Sequence, residues 1–237
     1  MMNFFTFGGI NSNEYGVHIS GTGTYNAPKR NVTMQAVPGR NGSISFDNGN
    51  YDNIPVKYPA FVVNTLPDSI KKLRNMIGAK VGYQRLEDTY DPEVFRLGIY
   101  KSGLDVKTSG YANRHGEFTI EFDCKPQRFL KLGENEVEFT APGLLFNPTE
   151  MNAKPFIRVY GSGAGMVGVG DYIINISAID EYIDIDCELM DAFKGNVNCN
   201  NKVIFSDDVV DLEPGENAIT FSGYITQVNI TPRWWML

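Results

Sequence analysis

Alternation of apolar and polar positions dominates the chain. In "GEFTIEFDC", Phe118, Ile120, Phe122 and Cys124 point one way and Glu117, Thr119, Glu121 and Asp123 the other, as in a half-buried antiparallel strand. "EYIDIDCEL" repeats the pattern, setting Ile183, Ile185, Cys187 and Leu189 against Tyr182, Asp184, Asp186 and Glu188. "NVTMQAV", "VFRLGIY", "NEVEFTA", "KVIFS", "NAITFSG" and "TQVNITP" read as further strands. Between them lie turn signals: "PGRNG", "DNGN", "KSG", "TSG" and "PGEN". Many short strands at short spacing predict a mainly β protein of sandwich or barrel type.

One segment has a different period. "LPDSIKKLRNMIGAK" places Ile70, Leu73, Met76 and Ile77 at helical spacing. Pro67 suits the first helical position, Asp68 complements the helix dipole, and Gly78 is a natural stop. The spacing predicts one helix over 67–77, packed on a sheet. A boundary is expected between Pro126 and Asn152, where prolines interrupt the strand series. This divides the chain into a β-rich domain over 1–135 that holds the helix, and an all-β domain over 136–237. "VPGRNGSISFDNGNYDNIPV" is dense in turn residues and predicts a surface hairpin, which also suits a subunit contact by strand addition.

"GSGAGMVGVG" contains Gly163, Gly165 and Gly168 at the spacing G-x-G-x-x-G after a short apolar run. A dinucleotide site needs a helix to open there, because the pyrophosphate rests on that helix's N-terminus. The residues that follow, "VGDYIINISAIDEYIDID", are β-branched and alternate, so no helix starts. Residues 161–170 are expected to be a glycine-rich connection between two antiparallel strands, with no nucleotide.

Other candidate chemistry is sparse. Asp184 and Asp186 share a strand face. Paired carboxylates suit glycoside hydrolysis or a calcium site, and the solvated outer face of a strand explains them equally. Trp234 and Trp235 in "TPRWWML" point to opposite faces of an extended chain. One is expected in the core and the other exposed, at a protein interface or stacked on a sugar. His18 and His115 sit in polar, turn-like surroundings, and no G-x-S-x-G elbow is present. The expectation is no enzyme, no metal and no cofactor.

Charge and cysteine usage narrow the class further. The 237-residue chain carries a net charge of −7 with no long basic run, which argues against a duplex nucleic-acid binder. Its three cysteines, Cys124, Cys187 and Cys199, form no C-x-x-C. They are expected to be small buried hydrophobes in a reducing compartment rather than a disulfide or zinc framework. The opening "MMNFFTFGGINSNEYG" lacks a signal-peptide pattern, and no apolar run approaches the ~20 residues of a membrane span.

Taken in order, several segments resemble the distal tail protein (Dit) family of long-tailed bacteriophages and prophages. They are "FTFGGINSNEYGVHIS", "VPGRNGSISFDNGNYDNIPV", the helix, "EFDCKPQRFL", "NAKPFIRVYGSG", "YIDIDCE", "PGENAITFSG" and "PRWW". Their order and spacing cover nearly the whole chain. The resemblance implies an N-terminal β-sandwich-like ring domain with one α-helix and a β-hairpin, and a C-terminal galectin-like β-sandwich. It also implies a homo-hexamer around a central channel, a route for DNA without reading of its sequence. The ring would be a virion structural protein, the distal tail or baseplate hub, assembled in the bacterial host cytoplasm. It would join the tail tube to the host-adsorption apparatus of the tail tip. Implied partners are the tail tube protein, the tape-measure protein, the tail-associated hub protein and receptor-binding or baseplate proteins. Arg40, Asn41, Phe46, Tyr51 and Tyr58 would contribute to the ring contact. Asp184, Asp186, Trp234 and Trp235 would contact a partner or a host cell-wall saccharide. The alternative function is a carbohydrate-binding module of the tail, through the C-terminal sandwich.

Overall fold

The computed structural model describes residues 2–21, 23, 25–63, 66–109, 115–207 and 210–237. The protein is mainly β, with curled sheets in a sandwich-like arrangement. The chain divides into two compact units, Met1–Arg128 with Leu237, and Phe129–Met236. Among the described residues, no helix is long and apolar enough to cross a membrane.

The first unit holds strands β1 (Phe5–Phe7), β2 (Ile10–Asn11), β3 (Val17–Ile19), β4 (Arg30–Ala36), β5 (Ser43–Tyr51) and β6 (Ile54–Val63). After helix α1 (Leu66–Gly78) come β7 (Gln84–Asp88), β8 (Val94–Ile99), β9 (Lys107–Ser109) and β10 (His115–Cys124). One sheet runs β2-β1-β7-β8-β10-β6-β3, with β9 on β10. Its centre is β10 against β6, in register from His115↔Val63 to Cys124↔Ile54. The alternation of β10 is realised: Phe118, Ile120, Phe122 and Cys124 are buried. They meet Phe5, Phe7 and Tyr58, with ring centroids 4.7 Å apart for Phe7–Phe122 and 5.7 Å for the stacked Phe5–Tyr58. Leu73 and Ile77, one turn apart, bury α1 against this core, while Met76 lies off that stripe and is exposed.

The chain passes from the first unit into the second within β11 (Arg128–Leu130), which is followed by β12 (Val137–Phe139) and β13 (Gly143–Asn147). Its frame is three long strands, β14 (Phe156–Val169), β15 (Tyr172–Asp186) and β19 (Gly215–Thr231). Shorter strands complete it: β16 (Asp191–Lys194), β17 (Val197–Asn198), β18 (Val203–Phe205) and β20 (Trp235–Met236). At one end of the long strands β12 pairs β19 and β16 pairs β15; at the other end β13 and β18 take those places. Both ends feed one core. Ile157, Val159, Ile183 and Ile230 from the first end join Val167, Val169, Ile174 and Ile219 from the second. Long strands that bend between their halves fold a sheet onto itself in this way.

The bend explains the glycines and corrects the sequence expectation. Residues 161–169 are not a connection between strands; they lie inside β14, and the turn to β15 is Gly170–Asp171. Register shifts against β19 fall at Tyr160/Gly161 and between Gly161 and Gly165. A Cβ on Gly165 would sit 2.6 Å from Cγ1 of Ile225 and 2.7 Å from the Ser222 carbonyl oxygen, so only glycine lets β19 approach. Periodicity alone does not distinguish one long bent strand from two short ones joined by a glycine loop. "DNGN" is corrected likewise: Asp47 to Asn50 lie within β5, where Gly49 takes φ +73° beside a register shift.

Candidate functional site

The feature that stands apart is the hairpin β4–β5. It forms a two-stranded sheet of its own and joins neither large sheet. The turn is built by sequence: Arg40 N–H donates to the Val37 carbonyl at 3.2 Å, with Pro38 second and Gly39 third at φ +79°. That is type II turn chemistry. Pairing then runs Ala36↔Ser43, Gln35↔Ile44, Met34↔Ser45, Thr33↔Phe46 and Val32↔Asp47. Val32, Met34 and Ala36 share one face, Ile44 and Phe46 the other. Both faces are open, with Met34 62% and Phe46 50% exposed. An isolated two-stranded hairpin is marginal in water, and open apolar strands with free edges are templates for another chain.

Local polar contacts hold the hairpin's base. Arg30 pairs with Asp47, donates to the Tyr51 hydroxyl at 3.4 Å and lies 5.6 Å from that ring's centroid. The Arg30 hydrogen bond and the Gly49 N–H hold the Asp47 carboxyl below its usual value. The Asn48 amide donates to Asn31 at 2.9 Å and to Thr33 at 3.2 Å, on the neighbouring strand.

Of the residues expected in a ring contact, Arg40 and Asn41 are exposed in the turn, Phe46 is exposed and Tyr51 is half-buried. Tyr58 is corrected: it is 1% exposed in the first unit's core and donates to Asp88 at 2.6 Å. Burial, and Asp88 beside it, push its phenol well above the ordinary value, so it stays neutral. It has no surface to offer a neighbour. Sequence reasoning missed Val32, Met34 and Ile44, which the structure leaves open. Alternation marked β4 as a strand but implied a covered face.

The second unit's expected contacts are mostly engaged internally. Asp184 was expected on an outer strand face, open to solvent or to a ligand, but it is 3% exposed. Arg158, directly opposite on β14, donates to it twice, at 2.6 and 2.9 Å. Asp186 accepts twice from Arg233, at 2.8 and 2.9 Å, and from the Glu188 N–H at 2.9 Å. Burial works to raise its carboxyl, but Arg233 and the backbone donors outweigh it and hold the value low. Arg233 adopts φ +59°, a strained backbone that the paired carboxylate helps to fix. Trp234 is buried and Trp235 half-buried, its indole N–H donating to the Asn152 carbonyl at 2.8 Å. The carboxylates and Trp234 therefore form no open saccharide platform.

Strand β15 occupies the place where a nucleotide-binding helix would begin. His18 is half-buried, 5.6 Å from the Phe61 ring, and His115 is exposed at the start of β10. Cys124, Cys187 and Cys199 are buried and free. Burial pushes the Cys124 and Cys187 thiols up to about 12, which leaves them inert hydrophobes. Among the described residues, no three His, Cys, Asp or Glu side chains cluster to hold a metal ion.

No model of a known protein family and no curated protein matches the sequence. The fold does have relatives among solved structures. The Dit protein of phage SPP1, described as a paradigm of the hub adsorption apparatus in phages infecting Gram-positive bacteria, superposes with a TM-score of 0.77. Its identity is 14%, with 100% of both chains covered. Chains of the phage P2 baseplate in its activated conformation, one structure with Ca and one with Sr, give TM-scores of 0.52 and 0.51. They are 12% and 13% identical, covering 97% of this chain and 98% of theirs. The chain thus has, over its whole length, the fold of the SPP1 Dit protein.

Proposed function

We propose that this chain is a structural, non-catalytic protein of a phage tail, the subunit of a distal hub ring that connects the tail tube to the host-adsorption apparatus. The hairpin carries the reading: an apolar two-stranded sheet, open on both faces, has its natural place on another copy. The likeness in fold to the SPP1 Dit protein supports it. In this reading six copies close a ring through heterologous contacts, each hairpin covering the next copy with Val32, Met34, Ile44 and Phe46. Arg40, Asn41 and Tyr51 flank the contact. The Phe129–Met236 unit serves as the docking platform for adsorption proteins, and the ring meets the tail tube, tape-measure and tail-associated hub proteins. Assembly takes place in the cytoplasm of a bacterial host, and the finished ring sits at the virion's tail tip. With Asp184, Asp186 and Trp234 engaged internally, no observation favours saccharide binding over docking.

Negative-stain microscopy and light scattering of the purified protein, alone and with tail tube protein, test this. Six-fold rings are expected, and Ile44→Asp with Phe46→Asp abolishes them. A chain that stays monomeric at high concentration in both settings rules the reading out.

A further inference from the structure

The buried face of β8 carries a charge. Val94, Arg96 and Gly98 alternate inward along it, and Arg96, opposite Leu86 on β7, is 7% exposed. Its Nη1 is buried and meets no acceptor. The groups around it do not balance the guanidinium. Tyr58 and Cys124 stay neutral, both pushed up by burial, the thiol to about 12. Asp88 accepts from the Tyr58 hydroxyl at 2.6 Å and from the N–H groups of Tyr90 and Asp91 at 3.0 and 3.2 Å, so its oxygens are already engaged. A second cation comes near instead. After β10 the chain runs on along β8, with Cys124 opposite Gly98 and the Lys125 N–H donating to the Leu97 carbonyl at 2.8 Å, and Arg128 follows. Burial first, and then the Arg128 charge, lower the Arg96 pKa, and Arg128 acts on it more strongly than Asp88 does. Arg128 donates from Nη2 to the Asn26 backbone carbonyl at 3.0 Å, while its Nε is buried without an acceptor. The Asn26 amide nitrogen donates to the Pro55 carbonyl at 2.7 Å, which fixes the side chain and leaves its Oδ1 buried without a donor.

We infer that Arg96, Arg128 and Asn26 form a site for an inorganic phosphate ion inside the first unit. Charge is the first argument. A buried cation without a partner is strongly destabilising, and here a second cation adds repulsion, so an anion relieves both. Donor chemistry is the second. Arg96 Nη1 and Arg128 Nε are unused guanidinium N–H groups, and planar guanidinium forks suit phosphate oxygens. The third argument selects the anion. Asn26 Oδ1 needs a hydrogen-bond donor, and hydrogen phosphate carries an O–H at neutral pH. Sulfate, chloride and the phosphodiesters of nucleic acid carry none. A water molecule can donate to Asn26, but it brings no negative charge to offset the two arginines. The site stands apart from the hairpin and is independent of the ring reading.

Isothermal titration calorimetry of the full chain with sodium phosphate, at an ionic strength fixed with sodium chloride, tests the site. Saturable binding of one phosphate per chain is expected, with a melting temperature that rises with phosphate concentration by mass action. Sulfate and dimethyl phosphate, which lack the O–H, bind more weakly by about tenfold or more. Arg96→Met and Arg128→Met each weaken phosphate binding by about tenfold or more, and Asn26→Ala removes the preference for phosphate over sulfate. Arg128 and Asn26 are only half-buried, so their variants carry the test if Arg96→Met does not fold. Absence of binding to the unaltered chain overturns the proposal. So do phosphate binding that survives the arginine substitutions, and sulfate binding as tight as that of phosphate. A crystal structure grown from phosphate that holds only water at the two guanidinium groups overturns it equally.

Discussion

Two antiparallel pairs in this chain, β4–β5 and β14–β15, are similar to read and opposite in setting. Both alternate, both turn through glycine, and both bulge at a glycine-bearing register shift. In β14 the inward residues Ile157, Val159, Val167 and Val169 are fully buried, whereas in β4–β5 Met34 and Phe46 stay at least half exposed. Alternation states which residues share a face; it does not state what covers that face. The glycines differ for the same reason. Gly165 is confined by Ile225 and Ser222, while Gly42 in the hairpin turn has no atom near its absent Cβ. One set of glycines permits packing and the other permits a turn.

Substitutions break the comparison in a definite order. Gly165→Val drives a side chain into β19 and costs ~3 kcal/mol by chemical denaturation, whereas Gly42→Ala, strained only by its φ of +81°, costs ~1 kcal/mol. Next comes Asp184→Asn. Removing one partner of a buried pair costs ~3–5 kcal/mol, and because Arg158 is 36% exposed the loss here is nearer ~2 kcal/mol. Acid gives a smaller effect. The folded carboxyl of Asp186 titrates below its unfolded value near ~3.9, so its stabilisation is complete above that pH. It is lost as pH falls through the folded value, and in Asp186→Asn the acid limb of the melting-temperature profile flattens. Smallest is Phe46→Asp, which changes monomer stability by less than ~0.5 kcal/mol, since half of the residue already lies open to water on a hairpin outside both cores. If Phe46→Asp melts earlier by several degrees, the hairpin is packed at home and the contrast between the two pairs fails.

Much of the architecture was legible in the sequence. The strand Phe118–Cys124 and the helix around Leu73 and Ile77 stand out because period 2 and period 3.6 follow directly from backbone geometry. The bend in β14 was hidden, since a bulged but continuous strand through Gly161–Gly168 depends on pairing with β19, which is distant in the sequence. Burial of Asp184 was hidden too: its alternation points it outward, while Arg158 and Phe193 lie opposite it on the two neighbouring strands. Tyr58 was assigned to the ring contact through the family resemblance of its segment, while its neighbours in space are Phe5, Phe122 and Asp88 of its own unit.

By itself, then, the sequence determined the mainly β class, the helix that buries Leu73 and Ile77, the hairpin turn and the strand rather than helix after Gly168, all set by local sterics and periodicity. The tertiary structure decided which alternating faces are covered. It folded β14, β15 and β19 over one core, paired Asp184 and Asp186 with arginines, and left the hairpin open. Burial is a property of what approaches a strand from elsewhere in the chain, and no local pattern contains that information.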